Sequence, residues 1–296
     1  MHLFITGSNS FIGQELIRQC DDKGITVTGI DVAPGTRADC TVADICDADI
    51  GQRIPKNVDA IIHLAGLTRD PDCKNQAKKC FQANVMGTLN LIDAAQEREA
   101  GQFIFASSEW VYDSFEPNVA KTEQSTVDAS KLTSEYAFSK YVSEVNLRQK
   151  YQHGFMPVAI LRFGIVYGPR KANWSAVEAL FNTVATSESV SVGALATSRR
   201  FIHVSDIAAG ILAAVGLPGF EVINLQGANQ VSLGDVIAES QSVLGRNIPV
   251  SESNPAAPSI RLIDNSKAAS VLSWSPQIPL ADGLRSVGTV LGHVKA

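Results

Sequence analysis

The chain has 296 residues, 45% hydrophobic and 19% charged, with a formal net charge of −5. That length suits one large domain, or a large and a small one, around an ordinary buried core. The acidic balance excludes a dominant phosphate-backbone partner, so no nucleic acid is expected.

The opening MHLFITG enters a strand directly, without the charged and then apolar stretches of a secretory signal. HLFIT (2–6) is strand-like, and FIGQELIRQCDDKG (11–24) is amphipathic and ends on glycine. TVTGID (26–31), AIIHLAG (60–66), QFIFASS (102–108) and VAILRFGIVYG (158–168) read as further strands, with helices over 73–99 and 129–152 between them. Continuous apolar strands spaced by helices predict an α/β fold: a doubly wound parallel sheet covered on both faces, with a glycine turn after its first strand. After position 168 the pattern breaks at GPRKANWSA, and NPAAPS (254–259) is a second loop. The expected organisation is a dinucleotide-binding domain over 1–168, to which 206–227 returns, and a smaller substrate domain within 169–296. The run IAAGILAAVGL (207–217) is too short to cross a bilayer and is expected as a buried helix. Cys20, Cys40, Cys46, Cys73 and Cys80 are scattered with no C-x-x-C pair, which reads as reduced thiols and predicts no metal site. These features together predict a soluble, cytoplasmic protein with no membrane partner.

The turn ITGSNSFIG (5–13) keeps two of the three glycines of a dinucleotide loop. Gly7 permits the tight turn, Gly13 permits close helix packing, and Ser10 stands where backbone approaches phosphate. A serine there can cap the helix or donate to a phosphate oxygen. Asp31 closes the second strand, placed to accept hydrogen bonds from a ribose diol and to repel a 2′-phosphate, so NAD is expected over NADP. Arg37 is the nearby residue able to reverse that choice.

SEYAFSK carries Tyr136 and Lys140 one helical turn apart on one face. A free phenol, with a pKa of roughly 10, is a poor base at neutral pH. A neighbouring ammonium is expected to favour the phenolate. Lys140 can also reach the cofactor ribose. ASSEWVYD puts Ser107 and Ser108 at the carboxyl end of a strand, where ligands of such sheets sit.

In these motifs the chain resembles the extended short-chain dehydrogenase/reductases, in the group of NAD-dependent nucleoside-diphosphate-sugar epimerases and dehydratases. TGSNSFIG, HLAG, NVMGTLNLIDAA, SSEWVYD, YAFSK, LRFGIVYGP, RRFIHVSDIA and DNSKAASVLSWSP follow that family's motifs in order, nearly end to end. The resemblance implies that Tyr136 removes a proton from a sugar hydroxyl held by Ser108, while NAD takes hydride from the same carbon. It implies cofactor contacts at Gly7, Ser10, Phe11, Ile12, Gly13, Asp31, Leu64, Ala65, Gly66, Asn84, Ser107, Tyr136 and Lys140. Asp44 and Ile45 match an adenine-edge position. Arg199, and less closely Arg261, match residues that meet the nucleotide diphosphate, and guanidinium groups suit it by bonding bidentately. The helices 86–99 and 129–152 match a dimer interface, so a homodimer is expected.

The departures from the family pattern are informative. Family dehydratases carry Asp and Glu between the serine and the valine of SSEWV; here the pair is Glu109 and Trp110. Glu109 is either catalytic or a solvated loop carboxylate. Asp113 replaces a usual glycine, and Arg200 a usual aspartate, so Arg199 or Arg200 can face the diphosphate. Gly164 and Ile165 lie where the family touches the nicotinamide region. His63 and His203 are expected to be structural, and Trp174 to line a sugar pocket or pack its own loop. The expected function is epimerisation of a nucleotide-activated sugar at carbon 4, with UDP the favoured carrier. A dehydratase or keto-sugar reductase with the same Tyr/Lys/Ser site is the alternative, and a dinucleotide-sensing protein without turnover is the second.

Overall fold

The computed structural model describes residues 1–112 and 114–295; Asp113 lies outside the described residues. The chain divides into two units, one of Met1–Ser114, Glu123–Phe163 and Ala208–Asn224, the other of Phe115–Thr122, Gly164–Ile207 and Leu225–Ala296. The second unit therefore takes 115–122, 164–168, 206–207 and 225–227 as well as the segments placed there from sequence, so that only 208–224 of the expected return segment belongs to the first.

The first unit is built on β1 (His2–Thr6), β2 (Thr26–Asp31), β3 (Cys40–Val42), β4 (Ala60–His63), β5 (Phe103–Ser108), β6 (Val158–Phe163) and a last strand, Phe220–Leu225. Their order across the sheet is last strand–β6–β5–β4–β1–β2–β3. Registers rise together in every described pairing from β6 to β3, so these strands are parallel. β1 has β2 on one side and β4 on the other, so the connections leave in opposite directions there. That switch point is where a ligand crevice forms outside the carboxyl ends of the strands. β4, β5 and β6 are buried along their whole length, as expected for strands covered on both faces. Phe4, Ile61, Leu91, Phe103, Phe105, Val158 and Ile160 pack into its main core. β3, short and half-exposed at the sheet edge, carries no alternation that the sequence could reveal.

Two predicted helices are corrected. The segment 73–99 forms short helices over Asp70–Cys73 and Ala77–Phe81, a wider π turn over Gln82–Met86, and then a helix over Gly87–Glu97. The segment 129–152 begins with a 3₁₀ turn, Ala129–Lys131, and its α-helix runs Glu135–Gln152 from a Ser134 cap. The apolar run expected at 207–217 is helical over Val204–Ala213.

In the second unit, helices Ala176–Thr186 and Leu233–Leu244 each start with a capping box, Ser175 with Glu178 and Ser232 with Asp235. They pack with helix Leu280–Leu291 around Tyr167, Val177, Phe181, Val236, Leu284 and Val287.

Candidate active site

The loop after β1 is shaped by absent side chains. Gly7 has φ +74°, and a Cβ on it would stand 2.9 Å from the Ala65 nitrogen at the end of β4. A Cβ on Gly13 would meet the Gly7 carbonyl oxygen at 2.2 Å. These two glycines let helix α1 (Phe11–Asp22) start close beneath the turn. Ser10 takes the capping role: its hydroxyl accepts a hydrogen bond from the Gly13 N–H at 3.0 Å. Phe11 and Ile12 open the helix behind it.

Asp31, at the carboxyl end of β2, accepts hydrogen bonds from the Asn9 N–H at 3.0 Å and the Ala33 N–H at 2.9 Å. It therefore shapes the rim of the loop and presents negative charge there. Arg37 is held by Asp39 and Asp21, with 2.6 Å contacts to each. Its charge is matched by those two carboxylates. Asp44 accepts from the Cys46 N–H at 2.9 Å and Ile45 is buried, so this segment is a tight turn on the core. A bare glycine turn opening a helix N-terminus, with a carboxylate ending the next strand, fits a dinucleotide: the first can take its pyrophosphate and the second its ribose diol.

Beyond β4, Leu64 is buried and Gly66 has φ +145°. A Cβ on Gly66 would stand 2.7 Å from the Asn84 amide oxygen. That oxygen accepts from the Leu67 N–H at 2.7 Å, while the amide nitrogen donates to the Leu67 carbonyl at 3.0 Å and to the Ser139 hydroxyl at 2.9 Å. Asn84 is thus a brace that fixes the loop after β4. The π turn leaves its carbonyl to accept from both Thr88 and Ser143. His63 is buried between the Thr6 and Thr88 hydroxyls, and burial holds its pKa down at about 3, which fits a neutral structural histidine.

Ser108, Tyr136 and Lys140 come together at the carboxyl end of β5. Lys140 Nζ donates to the Ala106 carbonyl at 2.8 Å and lies 4.8 Å from the centre of the Phe105 ring. The Ser108 hydroxyl accepts from the Trp110 N–H at 3.3 Å and lies beside the Tyr136 phenol. The ionisation of the phenol differs from the expectation. Burial pushes Tyr136 up to about 12, with Ser108 pulling it down and Cys73, Cys80 and Glu109 adding to the rise. Burial also lowers Lys140 to about 8, against the pull of Cys80, Cys73 and Glu144. Desolvation outweighs the ammonium because both groups sit beneath the protein surface.

Glu109 is 1% exposed and close enough to raise the Tyr136 pKa, so it is a buried carboxylate and the solvated-loop alternative falls. Ser107 is buried at the same strand end, and its hydroxyl donates at 2.5 Å to Glu144 of the helix that also carries Tyr136 and Lys140. Glu144 itself, and Arg162 with which it pairs at 2.6 Å, were not among the sequence-derived candidates. The available signals were a carboxylate two turns beyond Tyr136 and an arginine inside the apolar run VAILRF.

In the second unit, Arg199 donates to the Ser198 and Ser259 carbonyls at 2.7 and 2.6 Å, and Arg200 to the Gly227 and Ala228 carbonyls at 3.3 and 3.1 Å. Arg200 lines an open depression of about 500 Å³ with Asp264, Asn265 and Ser266. The Arg261 guanidinium lies 5.5 Å from the Phe115 ring centre. A Cβ on Gly164 would meet the Gln226 amide oxygen at 2.5 Å. His203 lies 3.2 Å from the Ser286 hydroxyl, in a structural setting. The Trp174 indole donates to the Arg170 carbonyl at 3.1 Å, which ties it to its own loop. Among the described residues no helix is long and apolar enough to cross a membrane, and no three His, Cys, Asp or Glu side chains cluster to hold a metal ion.

The model of the NAD dependent epimerase/dehydratase family matches residues 3–225. An uncharacterized UDP-glucose epimerase, YtcB, of Bacillus subtilis (strain 168) is 29% identical over 96% of both chains. A dTDP-4-dehydro-6-deoxy-D-allose reductase of Streptomyces sp is 24% identical, over 95% of this chain and 93% of its own. Among solved structures, MoeE5 in complex with UDP-glucose and NAD superposes with a TM-score of 0.86 at 23% identity, over 99% of each chain.

Proposed function

The chain belongs to the NAD dependent epimerase/dehydratase family, and from that premise we propose that it is an NAD-dependent epimerase that inverts carbon 4 of a nucleotide-activated sugar. The observation that carries this reading is the meeting of Ser108, Tyr136 and Lys140 at the end of β5 with Trp110 beside them. Gly7, Ser10, Gly13 and Asp31 would hold the dinucleotide, with Leu64, Ala65 and Gly66 as the wall beyond β4. NAD, when bound, supplies the site with a hydride acceptor and later its donor. Tyr136 takes the proton from the sugar hydroxyl and returns it, Ser108 orients that oxygen, and Lys140 supplies the positive charge that opposes the burial of a phenolate. Arg199 and Arg261 are the side chains proposed to meet the nucleotide diphosphate. UDP is the favoured carrier, supported by the name of the Bacillus relative.

Trp110 argues for epimerisation over dehydration, because an indole cannot serve as the second acid or base that loss of water requires. Buried Glu109 supports the second reading, a dehydratase with one carboxylate. The reductase relative keeps keto-sugar reduction in the same comparison. Incubating the purified protein with UDP-, dTDP-, GDP- and CDP-sugars tests all three. Epimerisation gives the 4-epimer with no net change in NADH. Solvent deuterium at carbon 5 would identify dehydration, and stoichiometric consumption of added NADH would identify a reductase. Either result replaces the proposal. Homodimerisation through helices Gly87–Glu97 and Glu135–Gln152 is part of the reading, supported by half-exposed Met86, Phe138 and Val145. Light scattering that gives a monomer at working concentration removes it.

A further inference from the structure

Helix Glu135–Gln152 carries three chemically active side chains at successive turns of one face: Tyr136, Lys140 and Glu144. All three are buried. The first two reach Ser108 and the Ala106 carbonyl, and the third reaches Ser107 between them. Three consecutive residues at the end of β5 therefore each meet one turn of the same helix, two of them through hydrogen bonds. Glu144 is fixed from the far side by Arg162 of β6, which donates from Nε to Oε1 at 3.0 Å and from Nη2 to Oε2 at 2.6 Å. The Arg162 guanidinium lies 4.7 Å from the Tyr112 ring centre, and the Tyr112 phenol donates to the Asn224 amide oxygen at 3.0 Å. The carboxylate is thus the junction of β5, β6 and the helix.

We propose that Glu144 is a positioning residue of the reaction: its carboxylate, locked by Arg162 and Ser107, holds the Tyr136–Lys140 face in register with the Ala106–Ser108 end of β5. A buried ion pair is weak evidence of stabilisation by itself, because taking both charges out of water costs about as much as their attraction returns. Its retention here is explained by geometry. A one-turn contact without it leaves the helix anchored at this strand end by the reacting groups alone. The negative charge also acts on Lys140, together with the other titratable groups around that ammonium, His63, Cys73 and Cys80. Its removal withdraws support for the charged lysine.

The inference rests on the reading of Tyr136 as the base, and the test keeps the two apart. Glu144→Gln, Ser107→Ala and the double replacement Glu144→Met with Arg162→Met are compared with the parent and with Tyr136→Phe, on protein verified as folded by circular dichroism. Glu144→Gln is expected to lower kcat about tenfold or more with KM for the nucleotide sugar nearly unchanged, as a misplaced base does. It is also expected to shift the alkaline limb of the kcat profile to lower pH, because the lysine then loses its proton earlier. Ser107→Ala, which leaves the ion pair intact, lowers kcat about threefold, the worth of one hydrogen bond. The double variant removes the unpaired charge and still shows low kcat. Parental kcat in folded Glu144→Gln, parental kcat in the double variant, or an unmoved pH limb in both overturns the proposal while Tyr136→Phe stays inactive. Parental turnover in Tyr136→Phe instead overturns the reading of the site and the positioning role with it.

Discussion

The glycine turn after β1 and the helix face at the end of β5, the two halves of the proposed site, are built by opposite means. The turn rests on what is missing: Gly7 and Gly13 leave space that a single carbon would fill, and the Ser10 hydroxyl caps the helix that follows. The helix face rests on side chains forced into burial, where desolvation moves Tyr136 up and Lys140 down. A backbone cradle is tolerant of its electrostatic surroundings and intolerant of volume. The buried phenol and ammonium are the reverse.

Volume should therefore break the turn most severely. Gly13→Ala must move the Gly7 carbonyl, which stands 2.2 Å from the new carbon, and overpacking of this kind costs about 3 kcal/mol. Thermal unfolding should show that loss, and calorimetric titration should show NAD binding abolished. Charge should dominate the helix face by a comparable amount. The folded-state pKa of Lys140, about 8, lies below its unfolded value of 10.5, so the folded protein binds fewer protons between them and stability rises with pH across that window. Lys140→Met should be more stable than the parent at pH 7 by up to about 3 kcal/mol, with the difference fading toward pH 10. The same variant should lose at least about a hundredfold in kcat. Denaturant melts at several pH values, run beside turnover assays, check both. Ser10→Ala removes the cap of α1 and should cost about 1 kcal/mol, while Ser10→Gly should cost only a few tenths. Asp31→Asn should shift the ratio of NAD to NADP affinity toward NADP while leaving the melting temperature nearly unchanged, because the amide oxygen can still accept from Asn9 or Ala33. Titration with both dinucleotides measures that ratio.

The turn was legible in the sequence because its physics is local. Glycine spacing, a serine cap and an acidic strand end each carry their own signal within thirty residues. The doubly wound sheet followed from the alternation of apolar runs and helices. At the helix face, the spacing of Tyr136 and Lys140 was legible, but their ionisation was not, since it depends on burial by residues distant in sequence. The π turn at Gln82–Met86 escaped for the same reason: Asn84 is drawn to Leu67 and Ser139, partners that periodicity cannot reveal. Glu144 had no local motif to announce it, because its partners come from two other strands.

The central claim is that a phenol, buried and braced, moves the proton of a sugar hydroxyl. Tyr136→Phe removes one oxygen from that site and nothing from the glycine turn. With NAD content quantified after purification and turnover followed on the nucleotide sugar that the parent accepts, the variant should hold as much NAD as the parent and lose about a thousandfold in kcat. Turnover within a fewfold of the parent, at equal NAD content, would contradict it.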